Sequence, residues 1–172
     1  MDDPRVMLRA RRDDDSALLY KWITDRKLRI MNASYRPVSE AQHNAWFIST
    51  CQRQDVAMFM IDEILSSNTV GTCQLRNIEN VNRSAELQIR IGDPQNHGRG
   101  LGTAAVGELI QFGFEDLNLR RISLQVFANN ERAIRVYQKC GFAIEGCLRQ
   151  AVYVDGHWLD IVCMGLLKEK HD

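Results

Sequence analysis

The chain has 172 residues, 45% hydrophobic and 26% charged, which is the size and balance of one ordinary globular domain and argues against intrinsic disorder. Lys plus Arg is 22 and Asp plus Glu is 22, so the formal net charge is zero; that weighs against duplex nucleic acid or an anionic membrane as the main partner, since both favour a basic surplus. The longest apolar run, Val56 to Ile61, falls far short of the ~20 residues that span a bilayer, and Met1-Asp2-Asp3-Pro4 begins no basic-then-apolar export signal, so a cytoplasmic protein is expected. Five cysteines (Cys51, Cys73, Cys140, Cys147, Cys163) form no C-x-x-C pair and are odd in number. Neither a disulfide scaffold nor a metal site is expected from them.

Alternation at Val6, Leu8 and Ala10 predicts a first strand. Asp13 is placed to cap a helix whose apolar face holds Leu18, Leu19, Trp22 and Ile23. A polar connection follows from Thr24 to Arg36. Ser39 and Gln42 form a capping-box pattern that opens a second helix through about Arg53. Strands are predicted at Val56–Ile64, Thr69–Ile78 and Ser84–Ile91, with Leu87, Ile89 and Ile91 on one face of the last and Glu86, Gln88 and Arg90 on the other. A glycine-bearing loop leads into a long helix ending near Asn118, with Leu101, Ala105, Val106 and Leu109 on its apolar face. A strand at Ile122–Val126, a helix at Glu131–Cys140 closed by Gly141, and two strands joined at Asp155-Gly156 complete the chain. No repeat or domain boundary interrupts this order, so residues 1–172 are read as one mixed α/β (α+β) domain.

The segment Gln95-Asn96-His97-Gly98-Arg99-Gly100-Leu101-Gly102-Thr103 lies between a strand and a helix. Alternate glycines let the backbone turn tightly and approach a ligand, and the free N–H groups of the helix that follows suit a phosphate. The segment has no Gly-Lys-Ser/Thr of a Walker loop, and Thr103 stands where a dinucleotide fingerprint needs its third glycine. What it resembles, in Gln95-x-x-Gly98-x-Gly100, is the pyrophosphate-binding Q/R-x-x-G-x-G/A motif of the GNAT superfamily of acyl-CoA-dependent N-acetyltransferases. A second segment, Asn130-x-x-Ala133-x-x-x-Tyr137-x-x-x-Gly141-Phe142, is similar to another motif of that family.

The resemblance implies a mixed, mostly antiparallel seven-stranded sheet with helices on both faces and splayed fourth and fifth strands. It implies acetyl-CoA or a related acyl-CoA as co-substrate, held by main chain near Ile89 and Ile91, by the loop residues Gln95, His97, Gly98, Arg99, Gly100, Leu101, Gly102 and Thr103, and by Asn130. His97 is read as a backbone contributor, not as a catalytic imidazole. Tyr137 matches the family tyrosine near the thioester sulfur; a phenol of pKa near ~10 can protonate a departing thiolate. Its alternative is an aromatic of the buried face. Glu86 matches an acidic position that several members use as base, often through water; its alternative is a solvated strand carboxylate. An α-amino group of pKa near ~8 needs less help from a base than a lysine near ~10.4.

For the acceptor, the segments holding Arg29, His43 and Trp46 in the first half, and Arg149, Tyr153 and Trp158 in the second, resemble GNAT enzymes acting on nucleotide-linked amino sugars; the second segment also resembles the ribosomal-protein N-terminal and spermidine acetyltransferase subgroups. The arginines suit a diphosphate and the aromatics a sugar or base; packing alone is the other reading of the aromatics. The resulting expectation is acetyl transfer, by direct attack in a ternary complex, to the primary amine of a nucleotide-linked amino sugar. A protein N-terminus of the ribosomal type and a polyamine are the alternative acceptors, although dispersed acidic residues speak against a polycation. A non-catalytic acyl-CoA-binding module is the alternative of another class. The expected partners are a small-molecule amine and a second copy of the chain as a homodimer, without metal, nucleic acid or membrane.

Overall fold

The computed structural model describes residues 5–30 and 36–169. Its elements, in order, are β1 (Val6–Ala10), α1 (Asp15–Thr24), α2 (Arg26–Ile30), α3 (Glu40–Thr50), β2 (Val56–Glu63), β3 (Thr69–Glu79), β4 (Ser84–Ile91), α4 (Leu101–Gln111), β5 (Arg121–Phe127), α5 (Glu131–Lys139), β6 (Ala143–Val154) and β7 (His157–Leu167). The seven strands form one sheet in the order β1-β2-β3-β4-β5-β7-β6. Every neighbouring pair is antiparallel except β4 and β5, which run parallel. That parallel pairing is short. Ser84, Ala85 and Glu86 meet Arg121, Ile122 and Ser123, and beyond them no register is kept. From Leu87 to Ile91, β4 pairs with β3 alone, so the sheet opens into a V on its β5 side.

Adjacent β2 residues show the two faces. Ile61 joins a core with Leu75, Leu87, Ile122, Leu124 and the α4 residues Ala105, Val106 and Leu109. Met60 points the other way, into a smaller core with Leu19, Trp22, Leu28 and Phe47 from α1, α2 and α3. Helices thus cover both faces, each docking an apolar stripe of helical period on an alternating strand.

Arg9 of β1 locks the N-terminal helix to the sheet. Its guanidinium donates to Asp15 at 2.7 and 2.8 Å, to Asp62 of β2 at 2.6 Å and to Thr69 of β3 at 3.0 Å. Asp15 is buried, and the Arg9 hydrogen bonds hold its carboxyl below the usual range.

Three expectations change. Asp13 does not cap α1; the N-cap is Asp14, which makes no side-chain cap bond, and the Asp15 carboxylate accepts the Arg12 N–H instead. The polar connection expected from Thr24 to Arg36 contains α2, because Asp25 accepts the Leu28 N–H at 3.0 Å and Leu28 gains burial in the smaller core. A single leucine among basic residues left no periodic signal there; residues 31–35 of that connection lie outside the described residues. The long helix from Leu101 is not α-helical to its end. It widens into a π-turn over Phe112–Asp116, where Leu117 N–H reaches the Phe112 carbonyl. A Cβ on Gly113 would come within 2.9 Å of the Ile122 Cδ1 methyl and 3.0 Å of that of Leu75, so a larger residue there would have to displace them. The capping box at Ser39 and Gln42 forms as expected.

Candidate functional site

The V between β4 and β5 opens into a cavity of about 340 Å³. Its β4 wall is Leu87 to Ile91, and its β5 wall is Gln125 to Phe127. Gly102 and Val106 of α4, the α5 N-cap Asn130, Ala133 and Tyr137 of α5, Val152 of β6 and Ile161 of β7 also line it, together with Arg76, Glu86 and His97. Main-chain amides and carbonyls of β4 without a strand partner on this side are available to a ligand.

At the loop, Gly98 and Gly100 have φ of +78° and +82°, a conformation that side-chain-bearing residues rarely adopt. Gly100 is the N-cap of α4 and supplies no side chain to the first-turn N–H groups, which keeps that helix end open. Among the expected cofactor residues, Ile89, Ile91, His97, Gly102 and Asn130 line the cavity. Gln95, Gly98, Arg99, Gly100, Leu101 and Thr103 do not. Leu101 is a core residue, buried to 3% exposure. The Arg99 side chain turns away to Glu63 and to Asn96, so only its main chain belongs to the loop's concave side. The His97 ring lies 3.4 Å from the Ile91 carbonyl. Asn130 caps α5 by accepting the Ala133 N–H at 3.2 Å, as its helix-start position predicts.

Tyr137 is buried at the floor, edge-on to Phe142 with ring centroids 6.0 Å apart. Burial, with Cys140 nearby, pushes its phenol up to about 12, so it holds its proton throughout the physiological range. It combines both sequence readings, since it is a core aromatic whose residue also faces the cavity. Glu86 of β4 lines the cavity and is not a free carboxylate. Arg76 forms an ion pair with one of its oxygens, and Asn77 donates to the other at 3.2 Å.

A second cavity of about 490 Å³ lies on the far side of β4. Leu19, Trp22 and Ile23 of α1 and His43 and Trp46 of α3 form its helical side, and Met58, Thr72, Gln74, Gln88 and Arg90 its sheet side. Gln88, Ile89 and Arg90 border both cavities, so β4 is a shared wall. Trp22 lies flat on Gly92, where a Cβ would come within 2.0 Å of the indole. His43 is buried among Tyr20, Trp46 and Phe47, and its Nε2 sits 3.0 Å from both the hydroxyl and the carbonyl of Ser16. Among the described residues, no cluster of three or more His, Cys, Asp or Glu could hold a metal ion.

Of the expected acceptor residues, Arg29, His43 and Trp46 border this second cavity. Arg149, Tyr153 and Trp158 do not. Tyr153 and Trp158 pack on each other with ring centroids 5.3 Å apart and planes tilted by 60°, and are 53% and 61% exposed. They belong to the outer β6–β7 hairpin, whose Val152 and Ile161 line the cavity on the β5 side and not this one. The β6–β7 hairpin instead meets the helical side through Arg26 and Asp155, 3.0 Å apart. Thr72, Gln74, Gln88 and Arg90 border this cavity too and are not among the expected residues. The polar side of the β4 alternation already pointed to the last two.

Among the described residues, no helix is long and apolar enough to cross a membrane. A family profile described as an acetyltransferase (GNAT) domain matches residues 5–143. The spermidine N(1)-acetyltransferase of Vibrio cholerae is 32% identical over 113 residues, 66% of this chain and 64% of its own length, so the match spans a little under two thirds of that relative. The uncharacterized N-acetyltransferase p20 of Bacillus licheniformis is 30% identical over 97% of this chain and 95% of its own. Among solved structures, the Vibrio cholerae spermidine N-acetyltransferase in complex with CoA and spermine superposes with a TM-score of 0.90, 25% identity and 96% coverage of both chains; a further structure of that enzyme is dodecameric. These relatives do not support the amino-sugar subgroup and leave the polyamine alternative better supported. The chain belongs to the GNAT family of acetyltransferases.

Proposed function

We propose that this chain, acting as one domain over residues 1–172, transfers an acetyl group from acetyl-CoA to the primary amine of a small molecule by direct attack in a ternary complex. The observation that carries this reading is the shared wall, in which one strand, β4, borders two separate cavities at Gln88, Ile89 and Arg90. A donor in one and an acceptor in the other meet across the strand, which brings the reacting atoms together without a covalent enzyme intermediate.

Bound acetyl-CoA supplies an activated thioester. The residues of this chain fit it. The amides of Gly98 to Thr103 and the open end of α4 would hold the diphosphate, with Gln95 and Asn130 as side-chain partners. The β4 main chain near Ile89 and Ile91 would hold the extended arm, its N–H groups placed to stabilise negative charge on the acyl oxygen. Tyr137 holds a proton at Oη for the departing sulfur. Glu86, kept in place by Arg76 and Asn77, takes the amine proton through water. Arg29, His43 and Trp46 shape the acceptor side.

Among acceptor classes, the relatives favour a polyamine over the nucleotide-linked amino sugar. A homo-oligomer and a cytoplasmic location are part of the same proposal. The experiment is steady-state thiol release with acetyl-CoA and spermidine or spermine, beside isothermal titration of acetyl-CoA alone. Binding with amine-dependent thiol release supports an enzyme. Binding without thiol release for any amine supports the non-catalytic module, and no binding at millimolar acetyl-CoA overturns both.

A further inference from the structure

The acceptor cavity has a one-sided charge. Arg29, Arg36 and Arg90 border it, and none of its described lining residues is an aspartate or glutamate. The sequence extends this bias, since between Asp25 and Glu40 it carries Arg26, Lys27, Arg29 and Arg36 and no carboxylate. Arg26 is offset by Asp155.

Arg90 is the most informative member. Its Nε is buried and has no hydrogen-bond partner among the described residues. Its cross-strand neighbour is Thr72, and the next pair along that face, Gln74 and Gln88, is occupied by a mutual bond at 2.5 Å. Burial pulls the Arg90 pKa below the ordinary arginine value, yet a guanidinium starts so far above neutrality that it keeps its charge. A buried guanidinium N–H without an acceptor is costly, and such groups in a cavity wall mark where a ligand atom sits. Two further buried atoms of the same lining, His43 Nδ1 and Trp22 Nε1, also lack a hydrogen-bond partner among the described residues. A polyamine would bring several ammonium groups to this wall and find no carboxylate to meet them.

We infer that the acceptor is a small primary amine that also carries an anionic group, a carboxylate or a phosphate, which Arg90 binds from the strand while Arg29 and Arg36 approach from the helical side. This rests on the acetyl-CoA-dependent transfer proposed above and specifies its acceptor.

Matched pairs test this. Thiol release from acetyl-CoA is measured with 5-aminopentanoate against 1,5-diaminopentane, with phosphoethanolamine against ethanolamine, and with spermidine. The anion-bearing member of at least one pair is expected to show a kcat/KM about tenfold or more above its partner and above spermidine. Which pair responds distinguishes carboxylate from phosphate. Arg90→Gln should collapse that ratio toward one, and Arg36→Gln should reduce it less; the ratio is internal to each variant, so a change in the amount of folded protein does not move it. A preference for the cationic or neutral members, thiol release with spermidine alone, or a ratio unmoved by Arg90→Gln overturns the inference and leaves the transferase reading standing. Acetyl-CoA that binds with no thiol release for any of these amines also overturns it. Absence of acetyl-CoA binding by isothermal titration defeats the transferase reading itself.

Discussion

The two cavities that flank β4 are built in opposite ways. The β5 side relies on main chain, on the strand edge that the V leaves unpaired and on a loop whose two positive-φ glycines aim it at the end of a helix. The other side relies on side chains delivered by α1, α2, α3, β2, β3 and β4. Backbone amides distinguish a diphosphate by position, and neighbouring residues suffice to place them. An acceptor is distinguished by charge and shape, which only side chains supply. The proposed transferase therefore separates a donor side set by local geometry from an acceptor side set by packing.

That contrast makes specific variants informative. The largest effect belongs to the β5 side: Tyr137→Phe is expected to lower kcat by about 10²–10⁴-fold while the KM for acetyl-CoA stays within a few-fold, read by steady-state thiol release. An unchanged kcat would leave Tyr137 as a core aromatic only. On the other side, Trp46→Ala should raise the KM of the amine and leave that of acetyl-CoA, because the indole borders the acceptor cavity alone.

Next comes the anchor of α1. Arg9→Met strands the buried Asp15 and the half-buried Asp62, and about 3–5 kcal/mol of stability should be lost, roughly 10 °C in Tm. Amine affinity should suffer more than acetyl-CoA affinity, since α1 roofs the acceptor cavity. The pH dependence has a definite sign. Arg9 depresses the Asp15 pKa, so this contribution is present above the unfolded carboxylate value of about 3.9 and is lost as pH falls through the lower folded value. Urea unfolding across pH 2–6 should show that acid limb in the parent and a shallower one in the variant.

Gly92→Ala comes third. Its Cβ meets the Trp22 indole within 2.0 Å, so displacement of the ring should cost about 1–3 kcal/mol, roughly 5 °C in Tm by calorimetry. Gly98→Ala has no such neighbour and should act through backbone strain on acetyl-CoA affinity.

The smallest effect is at alkaline pH. Burial pushes both Tyr137 and Cys73 up to about 12. The folded state therefore keeps protons that the unfolded chain releases. Their contribution is complete below the unfolded thiol value of about 8.5 and is lost as pH rises toward the folded values. Tyr137→Phe should remove its share above about pH 10, measured by urea midpoints between pH 8 and 12.

How much of this could be read from the chain follows the same divide. Gly98, Gly100 and the helix from Leu101 stand in one contiguous stretch, and Asn130 with Tyr137 in another, so spacing alone displayed them. The capping box at Ser39 was legible for the same reason. Arg149, Tyr153 and Trp158 had suitable chemistry, but nothing in their neighbourhood says that β7 and β5 stand between β6 and β4. Arg90 reads as one polar residue in an alternating strand, and the unmet hydrogen bond of its Nε appears only when β3, α1 and α3 close around it. The turn at Leu28 was missed because its helix is stabilised by a remote core and not by a periodic stripe.

Periodicity, capping and positive-φ glycines are properties of residues near one another in the chain, so strand and helix identity and the anion-seeking loop were decided there. The opening between β4 and β5, the place of the outer hairpin and the basic wall of the second cavity were decided by which distant faces bury one another. Burial is a long-range condition that no short stretch of sequence contains.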